Sequence, residues 1–114
     1  YQAEAITWLE RFQRKQGQQD PWIVNLQGIY EADRGNADGA IRRYRQAAAL
    51  PGANGAPLFN MALALRDKGQ WAEALDAVDQ AIKRRAEPSY LTLRLTLLEK
   101  LDKSKSLKKD AQLC

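Results

Sequence analysis

Gly35 and Gly69 stand 34 residues apart, and Asp33–Asp67, Ala40–Ala74, Gln46–Gln80 and Ala47–Ala81 keep the same interval. A fixed period with small residues at one phase is the mark of a chain built from stacked, nearly identical units. It excludes most single-core folds and sets the frame for the rest of the reading. The glycines fit the left-handed residue that ends a helix, and the alanines let two helix backbones come close where they cross.

Gly and Pro divide the chain into helical segments. Tyr1 to Gln16 carries Ala5, Trp8, Leu9 and Phe12 on one face at helical spacing, and Trp8 is assigned to the core. Asp20-Pro21 opens a second helix, which runs to about Arg34. Asn36 caps a third, from Ala37 to Leu50. The segment Pro51-Gly52-Ala53-Asn54-Gly55 is a loop, and Pro57 opens a fourth helix that ends at Gly69. Trp71 to Arg85 is a fifth, with Trp71 filling the gap inside its own pair. Pro88 opens a sixth that reaches about Leu101, and 104–114 is a basic tail or one more short helix.

At these residues the sequence resembles the tetratricopeptide repeat, a 34-residue helix-turn-helix unit. In 55–88 the residues Asn60, Ala62, Leu65, Gly69, Trp71, Ala74, Ala81 and Pro88 match the family pattern. In 21–54 Gly28, Gly35, Ala40, Tyr44 and Ala47 fit, whereas Glu31 and Ala37 replace usual aromatics. The resemblance implies an all-α, right-handed superhelical array of antiparallel helix pairs in a single domain. Residues 1–20 would be the second helix of a partial repeat, 21–54 and 55–88 two repeats, and 89–103 the first helix of another.

The segment Tyr90 to Leu97 alternates apolar and polar residues, which is a strand pattern. The repeat phase, Pro88 before it and Leu98-Glu99-Lys100-Leu101 after it favour a helix. Such a helix has two apolar faces, Leu91/Leu95/Leu98 and Leu93/Leu97/Leu101. The first is expected to pack on the preceding helix. The second is then left for the tail, a continuation of the protein, a second copy of the chain or a bound segment.

Signals of catalysis are sparse. The chain has no histidine, the commonest general base and metal ligand near neutral pH. Its single cysteine, Cys114, can form neither an internal disulfide nor a zinc site. No phosphate-binding glycine loop occurs. The expectation is a protein that is not an enzyme and uses no cofactor or metal. No apolar run approaches the ~20 residues of a membrane span. The chain begins at Tyr1, which reads as a fragment or processed form, soluble and either cytoplasmic or periplasmic. The alanine-rich repeat style suggests a bacterial assembly protein.

Binding is the function that remains. By the family resemblance, the first helix of each pair lines a concave groove that grips a protein or peptide partner. Carried over by position, the groove residues are Trp22, Asn25, Ile29 and Asp33, then Phe59, Asn60, Leu63, Arg66 and Asp67, then Tyr90, Leu93, Arg94, Leu97, Lys100 and Leu101. Arg94 is the candidate anion anchor, because its fork can hold a carboxylate through two hydrogen bonds. The family's clamp for acidic chaperone tails is not expected: Asn60 and Arg94 match, but both lysines are missing. Two other readings stand beside the groove. One is a homodimer through Leu93/Leu97/Leu101. The other is nucleic-acid binding through Arg42, Arg43, Arg45, Lys83, Arg84, Arg85 and the lysine tail, which the lack of interleaved aromatics disfavours. The formal net charge of +4 adds only weak support for acidic partners.

Overall fold

The structure is a computed structural model that describes residues 3–16 and 19–113; side chains are described for residues 3–12 and 19–104. Six helices follow one another, and no strand occurs among the described residues. They are α1 (Ala3–Gln16), α2 (Pro21–Asp33), α3 (Ala37–Ala49), α4 (Ala56–Asp67), α5 (Trp71–Arg84) and α6 (Pro88–Leu113). The segment with strand-like alternation is helical, as the repeat phase requires. No helix among the described residues is long and apolar enough to cross a membrane.

The expected start and stop signals operate. The Asp20 carboxylate accepts the Trp22 amide at 2.8 Å, and the Asn36 side chain accepts the Gly39 amide at 3.0 Å. At the other ends, α2 and α4 close in the same way. Gly35 and Gly69 have φ of 81° and 78°, a region that costs glycine nothing. The Gly35 amide bonds to the Ala32 carbonyl and the Asn36 amide to Glu31; 34 residues on, Gly69 bonds to Arg66 and Gln70 to Leu65. This is the two-bond glycine cap that satisfies carbonyls orphaned at a helix end.

Sequential helices pack as neighbours: α2 on α3, α3 on α4, α4 on α5 and α5 on α6, with a lighter contact between α2 and α4. The core lies between α3, α4, α5 and α6, around Tyr44, Leu58, Met61, Leu65, Val78, Leu93 and Leu97. Inside the α2/α3 pair, a methyl group added to Gly28 would lie 2.5 Å from Cε1 of Tyr44. The equivalent places in the α4/α5 pair hold Ala62 and Val78, both fully buried. One pair combines no side chain with a large ring, and the other combines a methyl with a small branched chain. Each fills its gap differently at the same phase.

Three sequence expectations are corrected. Trp8 is not core: it is 63% exposed and stacks on Phe12, itself 47% exposed, with centroids 6.1 Å apart. The odd helices begin at residues 3, 37 and 71, a constant step of 34, so Ile6 takes the buried place of Ala40 and Ala74. Trp8 falls where Arg42 and Asp76 sit, on the exposed side. The segment 104–114 is not separate from the sixth helix, since α6 continues unbroken to Leu113. No Gly or Pro follows Pro88 to stop it.

The third correction concerns the leucines. Leu93 and Leu97 are buried at 4% and 0%, while Leu91, Leu95 and Leu98 are exposed at 46%, 63% and 37%. The two faces are exchanged relative to expectation. The cause is the length of one connection. From the start of α3 to the start of α4 the chain takes 56 − 37 = 19 residues, but from α5 to α6 it takes 88 − 71 = 17. Two residues rotate a helical position by about 200°, so a constant period assigns the wrong face.

The close approach at Gly28 makes a testable statement. Gly28→Ala gains helix propensity of about 1 kcal/mol but overpacks Tyr44 by about 1–3 kcal/mol, a net loss of stability. Urea unfolding should show that loss. Gly28→Ala with Tyr44→Val, which copies the Ala62/Val78 pair, should recover most of it.

Candidate functional site

The even helices lie side by side, and two contacts tie them together. The Asn60 amide of α4 donates to the Asn25 side-chain carbonyl of α2 at 3.0 Å. The rings of Phe59 on α4 and Tyr90 on α6 meet with centroids 4.7 Å apart, tilted by 31°. Asn25 is 3% exposed, and no buried side-chain polar atom among the described residues lacks a partner. Burial raises the Tyr90 hydroxyl above its ordinary range, with Glu87 adding to the effect.

Between α2 and α4 lies a cleft of about 380 Å³. Its apolar lining includes Ile29, Leu63 and Ala64, with Tyr44 of α3 among the lining residues. Asn60 is its neutral amide, and Asp33 and Asp67 are its only charged residues. The Tyr44 hydroxyl is pushed up to about 12, first by burial and second by the Asp33 carboxylate.

The row continues onto α6. Counted from the closing glycines, Ile29 corresponds to Leu63; counted from the helix starts at 56 and 88, Leu63 corresponds to Leu95 and Phe59 to Leu91. Burial agrees with that register, because Met61 and Leu65 map onto Leu93 and Leu97, and all four are buried. An aliphatic row, Ile29–Leu63–Leu95, therefore crosses three helices.

The expected groove residues divide accordingly. Asn25, Ile29, Asp33, Phe59, Asn60, Leu63, Asp67 and Tyr90 belong to this face, Asn25 buried within it. Leu93 and Leu97 do not, because they are in the core, and the proposed dimer face of Leu93/Leu97/Leu101 loses its two central residues with them. Arg94 points to α5, where its Nε donates to Asp79 at 2.8 Å, so it is no open anion anchor. Arg66 pairs with Asp67 at 3.1 Å. Trp22 is 60% exposed and lines a separate small hollow with Pro57 and Asn54. Lys100 lies 5.6 Å over the Trp71 ring, and Leu101 is half-buried. Leu91, Leu95 and Leu98 are the site residues that sequence reasoning missed. Counting from Pro88, and not by a constant 34, would have found them.

A larger cavity of about 590 Å³ lies on the opposite side, between α3, α4 and α5. Its rim mixes Arg45 and Arg84 with Glu73 and Asp76, so no single polarity selects a partner. Arg84 is also committed: it donates to the carbonyls of Ala48, Ala53 and Asn54. Arg85 pairs with Glu87. These bonds reduce the basic surface that the nucleic-acid reading requires. Among the described residues, no group of three His, Cys, Asp or Glu side chains could hold a metal ion.

No family model, curated protein or solved structure matches this chain.

Two measurements test this geometry. Asn60→Ala leaves Asn25 buried without its partner and should cost about 1–3 kcal/mol, while Asn25→Leu with Asn60→Leu should cost less. Tyr44 supplies a pH test. Its folded pKa is raised, so the folded state holds the proton more tightly than the unfolded state. Stability is therefore fully present below about pH 10 and falls between about 10 and 12 by on the order of 2 kcal/mol. Denaturation followed across that range should show a shallower fall in Tyr44→Phe.

Proposed function

We propose that this chain is a tetratricopeptide-type interaction module whose even-helix face, built from α2, α4 and α6, binds a segment of another polypeptide. The observation that carries the proposal is the aliphatic row across that face. Leu95 is 63% exposed, and Leu91 and Leu98 flank it in the open. Contiguous exposed aliphatic side chains on a folded chain mark an interaction surface. The matched glycine caps at Gly35 and Gly69, and the constant start of the odd helices at residues 3, 37 and 71, support the repeat reading.

The face suits recognition more than chemistry. Its polar groups are an amide pair bonded to itself, two phenols held protonated by burial, and carboxylates at its edge. None of these places a general base beside a nucleophile. The cleft can take an aliphatic side chain while the exposed leucines extend the contact.

Selection from a displayed peptide library tests the proposal. Peptides should be enriched on the natural chain and lost on Leu63→Glu or Leu95→Glu. Leu95 is exposed, so its substitution should leave the unfolding midpoint within about 0.5 kcal/mol of the parent. Failure to enrich any peptide, or enrichment indifferent to both substitutions, would sink the proposal.

A further inference from the structure

Beside the aliphatic row runs a second row. Asp33 and Asp67 are the last residues of α2 and α4, and each lies four positions beyond Ile29 or Leu63. On α6 the residue four beyond Leu95 is Glu99, which maps onto Asp67 by the same offset of 32 that maps Leu95 onto Leu63. Residues four apart on a helix lie on one side. Three even helices thus present an aliphatic side chain and, one turn on, a carboxylate. All three carboxylates belong to exposed residues. Helix dipoles do not account for the two aspartates, since the C-terminal end of a helix disfavours an anion.

The cations nearby are already engaged. Arg94 is bonded to Asp79, and Lys68 is bonded to Asp38. Arg34 donates to the Tyr30 hydroxyl at 2.8 Å and lies over its ring, while Lys100 lies over Trp71. Arg66 meets Asp67, but with that carboxylate 70% exposed the pair is weak and easily exchanged. An anionic ligand finds little to hold here, whereas a cation finds a row.

The shape of the ligand follows from the backbone. An extended segment needs partners for its amides and carbonyls. The side-chain amides suited to supply them, Asn25 and Asn60, are bonded to each other, and Asn25 is buried. A helix satisfies its own backbone. Neighbouring helices lie about 8–10 Å apart, and seven residues of α-helix advance about 10.5 Å. A helix laid across α2, α4 and α6 meets each in turn with one heptad-spaced side chain.

We propose that the occupant of the even-helix face is a cationic amphipathic helix, with aliphatic residues on Ile29–Leu63–Leu95 and Lys or Arg on Asp33–Asp67–Glu99. This rests on the interaction reading above and names the chemistry of the partner. Recognition weakens as salt screens the carboxylate row.

Two designed helical peptides test it. Both carry leucine at every seventh position; one places arginine beside each leucine, and the other glutamate. Fluorescence anisotropy with the natural chain should show the arginine peptide binding about tenfold or more tighter, the sum of several exposed ion pairs. In Asp67→Asn with Glu99→Gln the preference should fall by at least half on a logarithmic scale, with the unfolding midpoint unchanged. Equal affinities, a preference for the glutamate peptide, or no binding of either overturns this inference. Library peptides that bind through Leu63 and Leu95 without basic residues overturn it alone and leave the interaction reading intact.

Discussion

Each helix pair depends on how closely its two backbones can approach. Gly28 against Tyr44 and Ala62 against Val78 are alternative fillings of that one contact. A larger residue on the first helix would force the pair apart, and the second helix would no longer sit over the next pair. Packing interiors tolerate little such displacement. The glycine caps at Gly35 and Gly69 serve the same contact, because they turn the chain back within two residues of a helix end. The Lys68–Asp38 bond joins the end of α4 to the start of α3, opposite dipole ends that each favour the charge they receive. Lys68 holds the Asp38 carboxyl below the usual carboxylate range.

Much of this was legible before any coordinates. Asp20-Pro21, Asn36, Gly35, Gly69 and Pro88 each act locally, through φ or through a cap, and local chemistry is what a sequence states directly. Helix boundaries therefore came within a residue or two at most junctions. The identity of buried faces is different, because it depends on register between elements. The α5–α6 connection is Arg85–Glu87, against residues 50–55 between α3 and α4. That difference in length leaves every helix in place and turns the last one around. Leu93 and Leu97 enter the core for this reason, and Leu91, Leu95 and Leu98 leave it.

The same distinction explains Trp8 and Arg94. The apolar residues of α1 share a face by periodicity, yet periodicity does not say which way that face turns. Register with α3 and α5 does, and it places Ile6 inward. Arg94 looked like an anion anchor because the family pattern put it in the groove. Once α6 is turned, Arg94 meets Asp79 of α5 and becomes a link within the last pair. Of the candidate site, the residues on α2 and α4 survived because their shared 34-residue step is real. Those on α6 did not, because its step is 32.

Net charge misleads about this surface for a related reason. A formal charge of +4 suggests acidic partners, but charge acts locally at the scale of a screening length. Arginines of the odd helices are bound to carbonyls and carboxylates of their own chain, as Arg84 shows with its three carbonyl partners. On the even helices the cations turn aside to Tyr30, Asp79, Asp38 and Trp71. The carboxylates at 33, 67 and 99 are left in line with the aliphatic row. A surface can thus carry the sign opposite to its chain, and what a partner meets is fixed by which charges the fold has already paired.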